Sequence, residues 1–97
     1  MKKLLSLVTL MFVLTQSAHA MHKEYDTNYV GGDYRMVKYV GATDCSYICE
    51  SEFRCAGYTW VPKGAHPIFP YKLFSTCWLK DRISGPIYLR DAISGIK

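Results

Sequence analysis

After residue 30 the apolar and polar positions fall into short runs, each bounded by glycine, proline or charged residues. Runs of this length that are rich in β-branched and aromatic residues predict strands. The segment 62–76 contains three prolines and predicts a long surface loop without regular structure. Residues 21–29 are mostly polar and predict a flexible N-terminal segment. The predicted strands are 34–40, 55–61 and 77–80, followed by two short closing strands, 87–89 and 93–96.

One segment has helical rather than strand spacing. Cys45, Ile48 and Cys49 recur at intervals of three and four residues, which places them on one face of a helix over about 44–53. Thr43 or Asp44 can cap the first free amide groups. A helix this short does not persist alone, so its cysteine face must pack on the rest of the domain. The opposite, solvent-facing side is predicted to carry Ser46, Glu50 and Ser51.

The first twenty residues have the organisation of a secretory signal peptide. A basic start at Lys2 and Lys3 precedes an apolar run, Leu4–Leu14, and the small-residue sequence Ala18-His19-Ala20 follows. The apolar run is too short for the ~20 residues that cross a bilayer. We therefore predict cleavage after Ala20, an exported protein in the periplasm or outside the cell, and no transmembrane segment after cleavage.

Export changes how the four cysteines are interpreted. In an oxidising compartment an even number of cysteines in a short chain predicts disulfides, whereas a reducing cytosol would favour a metal site. The spacings C-x3-C, C-x5-C and C-x21-C also differ from the paired, closely spaced ligands of common zinc sites. The sequence therefore predicts two disulfides and neither a metal nor a cofactor.

Geometry limits which cysteines pair. Cys45 and Cys49 lie one helical turn apart, too far for the ~3.8 Å between Cβ atoms that a disulfide requires. Each must therefore bond outside the helix. Cys49 is nearer the helix end and only six residues before Cys55, so a tight turn can join these two. This leaves Cys45 to pair with Cys77.

Charge and motifs argue against several classes of function. The formal net charge is +4, and it falls by two if Lys2 and Lys3 are removed with the signal peptide. This surplus is too small to indicate nucleic-acid binding. The sequence has no nucleophile elbow, zinc-protease motif or phosphate-binding loop, and His66 is interpreted as a solvated loop residue. We therefore predict that the protein is not an enzyme.

The proline-containing loop is the best candidate for a binding surface. Aromatic side chains beside a cation suit both protein hot spots and stacking on sugar faces. The alternative is that Phe69 and Phe74 fold back and roof the small core. The predicted ligand-contacting residues are Phe69, Tyr71, Lys72 and Phe74.

Four sequence pieces, in order, resemble the PAN/Apple domain family: D-C-S-Y-I-C, R-C-A-G-Y-T-W-V, T-C-W-L-K and I-S-G-I-K. The resemblance covers roughly residues 30–97, which we predict to be one PAN/Apple-like domain. It implies an α+β fold in which one short helix packs on a curved antiparallel sheet stapled by two disulfides, and it implies the pairs Cys45–Cys77 and Cys49–Cys55. The chain lacks the further cysteines of Apple domains proper and so resembles the four-cysteine PAN form. Its loop 62–76 is also longer than is usual.

The resemblance also implies a function. Members of this family are non-catalytic modules that bind proteins or carbohydrates, so we expect a protein or glycan ligand. A small secreted inhibitor or toxin-like effector that acts on a protein target is the alternative. The sequence does not choose between protein and glycan.

Overall fold

The computed structural model describes residues 21–97, which form a five-stranded antiparallel sheet with one α-helix. The strands lie in the order β1-β5-β3-β4-β2, and the helix lies between β2 and β3 in the chain. This arrangement confirms the predicted α+β class. The elements are β1 (His22–Tyr29), β2 (Asp33–Lys38), α1 (Ala42–Ser51), β3 (Gly57–Val61), β4 (Thr76–Lys80) and β5 (Pro86–Ile96). The predicted signal peptide and its cleavage site lie outside the described residues.

Both predicted disulfides are present. Cys45 in α1 bonds to Cys77 in β4, and Cys49 bonds to Cys55 just before β3, with Cα–Cα distances of 5.4 and 5.2 Å. Three of the four cysteines, Cys45, Cys49 and Cys77, are completely buried. Both bonds leave the helix on the side that faces β3 and β4, which is why so short a helix stays in place.

The start and outer face of α1 differ from the prediction. The helix begins two residues earlier than expected: its N-cap is Gly41, and neither Thr43 nor Asp44 caps it through a side chain. Ser46, expected in solvent, is buried, and its hydroxyl lies 3.7 Å from the sulfur of Met21. The reason is tertiary, because Met21 returns over this part of the helix and joins the buried core.

Residues 22–29, expected to be flexible, form a strand in the structure. They form β1, which pairs with β5 at the edge of the sheet. The polar composition misled the prediction because an edge strand is held by backbone hydrogen bonds and needs little apolar side-chain surface. Side chains add to this pairing: the hydroxyl of Ser94 donates a hydrogen bond to the carbonyl oxygen of Thr27 at 2.7 Å.

The two predicted closing strands are one long strand with a sharp bend. Within β5, Asp91 has a φ of 66°, and Asp26 opposite it in β1 has a φ of 55°. The amide of Asp91 donates to Asp26 Oδ1 at 2.8 Å, and the register of the two strands shifts at this point. This is a bulge, which bends a strand without ending it. The polar residues here resembled a turn in the sequence, but they are the bend of a continuous ribbon.

A glycine in β5 allows an aromatic side chain to complete the core. Tyr58 in β3 is almost fully buried and lies against Gly95. A Cβ on Gly95 would approach the Tyr58 ring to 2.3 Å, so only glycine fits at this position.

We predict that the two disulfides differ in their contribution to stability. Loop closure gives about 4 kcal/mol for the 32-residue separation of Cys45–Cys77 and about 2 kcal/mol for the six-residue separation of Cys49–Cys55. The variants to compare are Cys45→Ser/Cys77→Ser and Cys49→Ser/Cys55→Ser. Urea unfolding measures both losses, and an equal or larger loss for the second pair would contradict the prediction.

We also predict that Gly95→Ala destabilises the domain by about 1–3 kcal/mol, because the new methyl group overpacks the Tyr58 ring. Gly85→Ala is the matched control, since a Cβ there meets no atom within 4 Å. The measurement is the melting temperature of each variant in thermal unfolding. Equal melting temperatures would show that the sheet moves to accept the methyl group.

Candidate binding surface

The loop 62–75 joins the adjacent strands β3 and β4 and is more ordered than predicted. It contains a 3₁₀ turn, Tyr71–Leu73, which follows Pro70 directly. The amide of Gly64 donates to the carbonyl oxygen of Lys72 at 2.8 Å, so the two arms of the loop are hydrogen-bonded to each other. The expectation of no regular structure was therefore wrong. Proline is tolerated here because it stands at the start of the turn, where no amide is needed.

Tyr71, one of the four predicted contact residues, supports the loop from inside. Its ring lies 5.2 Å from the ring of His66 and 5.2 Å, edge-on, from that of Trp78 in β4. The rings of His66 and Trp78 are 5.8 Å apart, so the three rings contact one another. We call this group the aromatic brace. It fixes the loop to the sheet through apolar contacts and edge-to-face geometry.

Phe74 is held at the other end of the loop. Its ring centre lies 5.2 Å from that of Tyr39, just after β2, and the ammonium group of Lys38 lies 5.0 Å from the same ring centre. Phe74 is half-buried by these contacts, but it is not part of the core around the disulfides. The alternative that it roofs the core is therefore not what the structure shows.

Phe69 lies in solvent, with 70% of its surface exposed. Its neighbours Ile68 and Leu73 are 59% and 52% exposed, and a hydrogen bond from the amide of Leu73 to the carbonyl oxygen of Pro70 closes the turn between them. We call Ile68, Phe69 and Leu73 the apolar tip. The sequence prediction missed the two aliphatic members because it selected aromatic residues and the neighbouring Lys72. Lys72, the remaining predicted contact, is exposed beside the tip.

Exposed apolar side chains also occur outside the loop, on and beside α1. Phe53, just after α1, is fully exposed, and Tyr47 is exposed on the helix. The neighbouring polar groups are occupied within the protein: Glu52 accepts a hydrogen bond from the Tyr34 hydroxyl at 2.8 Å and forms an ion pair with Arg35. Single exposed apolar residues are normal on a protein surface, so we do not treat this region as a binding surface.

His66 is not the freely solvated residue expected from the sequence. Its Nδ1 accepts a hydrogen bond from the amide of Ile68 at 3.0 Å, and its ring packs in the aromatic brace. Burial lowers the pKa of His66 from its ordinary value of 6.5. The neutral ring is the form that can accept this hydrogen bond.

Two further findings bear on the chemistry. Within residues 21–97, no group of three or more histidine, cysteine or acidic side chains is placed to hold a metal ion. No helix in the same range is long and apolar enough to cross a membrane.

Together these features define a class of protein: a disulfide-stapled α+β domain that presents a braced loop with an apolar tip. The comparison with protein families then names the family. The model of the PAN domain matches residues 27–80, more than half of the chain, and the chain belongs to this family. The match contains the helix, β2, β3, β4 and all four cysteines, and it confirms the resemblance seen in the sequence. PAN domains are generally modules that bind proteins or carbohydrates. No curated protein matches the chain.

We predict that His66 makes stability depend on pH. Because its pKa is lowered on folding, the unfolded chain takes up a proton below about pH 6.5 before the folded protein does. Stability is then unaffected by His66 above this range and falls as the pH drops through it. Melting temperatures at about pH 7.5 and 5.5 should differ less for His66→Gln than for the unchanged protein. His22→Gln, at an exposed side chain in β1, is the control, and equal pH dependence in all three proteins would contradict the prediction.

Proposed function

We propose that the protein is an exported, non-catalytic binding module that recognises a protein ligand through the apolar tip of its loop. The observation that carries this proposal is the exposure of Ile68, Phe69 and Leu73 together at one turn. Apolar groups clustered in solvent commonly mark interaction sites. The family's general role, the two disulfides and the signal-like N-terminal sequence support an exported module.

The chemistry of the loop favours a protein over a carbohydrate. Sugar hydroxyl groups both donate and accept hydrogen bonds, so a sugar site needs side-chain acceptors as well as donors. Residues 62–75 contain no aspartate, glutamate, asparagine or glutamine. Two of the three tip residues are aliphatic and offer no aromatic face for stacking. A protein ligand with an apolar depression fits this surface better.

The charged residues of the loop indicate which charge the partner's surface should carry. Lys63 and Lys72 are exposed in the loop, and Lys38 lies over the Phe74 ring at its base. The loop itself contains no acidic residue, although Asp91 of β5 lines the same surface depression as Lys63. Complementary charge speeds association and fixes orientation, so we expect acidic groups around the partner's apolar depression.

The loop is also ordered in the absence of a ligand. The aromatic brace fixes it to β4, and the hydrogen bond between Gly64 and Lys72 joins its arms. A surface that is ordered before binding loses less conformational entropy when the complex forms. Phe69, Leu73 and Ile68 are thus presented by a stable scaffold, as a hot spot requires.

The test is site-specific photo-crosslinking in cells that export the protein. A photoreactive phenylalanine analogue at position 69 should form a covalent adduct with one protein partner. The same analogue at position 53 is the matched control, because Phe53 is a solvent-exposed phenylalanine that lies just beyond the helix, outside the loop. With the purified partner, Phe69→Ala should weaken binding at least tenfold, about 1.4 kcal/mol, while Phe53→Ala leaves the affinity within about twofold.

Melting temperatures of the two alanine variants should equal that of the unchanged protein, because both side chains are exposed. Crosslinks at position 53 but not at 69 would contradict the proposal. So would binding to a glycan array that Phe69→Ala abolishes, since that result would assign the tip to a carbohydrate.

A further inference from the structure

A groove of about 380 Å³ lies on the side of the sheet opposite the helix. Side chains alternate along a strand: Cys77 and Leu79 of β4 face α1, so Trp78 and Lys80 face the other way, into the groove. Val61 in β3, paired with Thr76, lies on this same side. The proposed protein-binding tip does not account for this space, although Ile68 borders both.

The bend of the β1–β5 ribbon makes the second wall of the groove. Beyond the bulge at Asp26 and Asp91, the outer part of the ribbon turns over the sheet, and the amide of Tyr29 approaches the hydroxyl of Thr59 at 3.5 Å. Ile87 and Leu89 in this part of β5 line the groove. The loop closes the remaining side with His66, Pro67 and Ile68.

The walls are mainly apolar, but one end carries an ion pair between Lys80, which is buried, and Asp33, which is 36% exposed. The side chain of Lys80 is only 2% exposed, and its ammonium group donates to Asp33 Oδ1 at 2.6 Å and to the carbonyl oxygen of Gly31 at 3.1 Å. An ammonium group has three protons, so one is left. Among residues 21–97, neither this proton nor Asp33 Oδ2 has a hydrogen-bond partner. The end of the groove therefore offers one donor and one acceptor side by side.

These features define the ligand's chemistry. A hydroxyl group can accept from Lys80 and donate to Asp33 at the same time. Because the pair has no net charge, the attraction of a ligand carboxylate to Lys80 is offset by its repulsion from Asp33, and the reverse holds for an ammonium group, so neither charged group is favoured. At the ~30 Å³ that one water occupies in the liquid, the volume holds roughly a dozen non-hydrogen atoms.

We propose that this groove binds a small neutral alcohol or phenol, with its apolar body against Trp78, Val61 and Leu89 and its hydroxyl between Lys80 and Asp33. The walls and the paired donor and acceptor are the two features expected of a small-molecule site. This proposal does not rest on the proposed protein-binding function, although Ile68 belongs to both surfaces.

The test uses three probes of nearly the same shape: p-cresol, toluene and 4-methylbenzoate. Each is titrated into the ¹⁵N-labelled protein while amide and indole signals are followed by NMR. Signals of groove residues, including the indole of Trp78, should shift. p-Cresol should bind about fivefold more tightly than toluene, which corresponds to one net hydrogen bond, and more tightly than 4-methylbenzoate.

Asp33→Asn provides the sharpest variant. It keeps an oxygen that can accept from Lys80 but removes the negative charge, so the preference should reverse and 4-methylbenzoate should bind more tightly than p-cresol. Ile87→Trp narrows the opening at an exposed position and should weaken all three probes. Tyr47→Ser, on the exposed surface of α1, is the control and should leave all three affinities unchanged. If Ile87→Trp does not fold, Pro67→Trp narrows the same opening from the loop side.

Three outcomes would overturn the proposal. The first is no shift of groove signals at the solubility limit of p-cresol. The second is equal affinity for toluene and p-cresol, which would mean that the ion pair plays no part. The third is unchanged preference in Asp33→Asn. None of these results depends on the protein partner, so they leave the proposed function of the tip untouched.

Discussion

The buried bond between Cys45 and Cys77 is the contact on which the rest of the domain depends. It ties the only α-helix of the described residues to β4, a strand with a partner on each side. Few large apolar side chains are fully buried around it, chiefly Tyr58 and Leu79. A domain this small gains little from its core alone. The disulfide adds the stability that so small a core does not provide, because it restricts the unfolded chain and fixes the helix on the sheet.

Strand β4 then connects this core to everything on the other side of the sheet. Alternate residues point in opposite directions, so the strand that holds Cys77 against the helix also presents Trp78 and Lys80 to the groove. Trp78 supports Tyr71 and His66, and through them the loop. The apolar tip can project into solvent because its base rests on a strand that the disulfide has fixed.

The sequence predicted the parts of the fold that local pattern decides. Cysteine spacing gave the helix and both disulfides, and β-branched and aromatic runs located β2, β3 and β4. It failed where distant contacts decide. The polar residues of β1 are ordered only because β5 lies beside them, and Ser46 is buried only because Met21 covers it. In the candidate site, the predicted contact residue Phe69 is exposed to solvent. The sequence could not show that Tyr71 and Phe74 are packed against the protein while Phe69 is not. Their packing depends on contacts with Trp78 and Tyr39.

The aromatic brace is the physical link between the two proposed surfaces. His66 contributes one ring to the brace and also lines the groove, while Tyr71 lies in the turn that carries Leu73. A molecule in the groove would therefore contact His66, one of the rings that support the loop and its tip. The two surfaces are joined in two ways: Ile68 belongs to the tip and lines the groove, and His66 packs against both Tyr71 and Trp78. Variants at Phe69 and Ile87 leave these three rings in place, and for that reason they report on each surface separately.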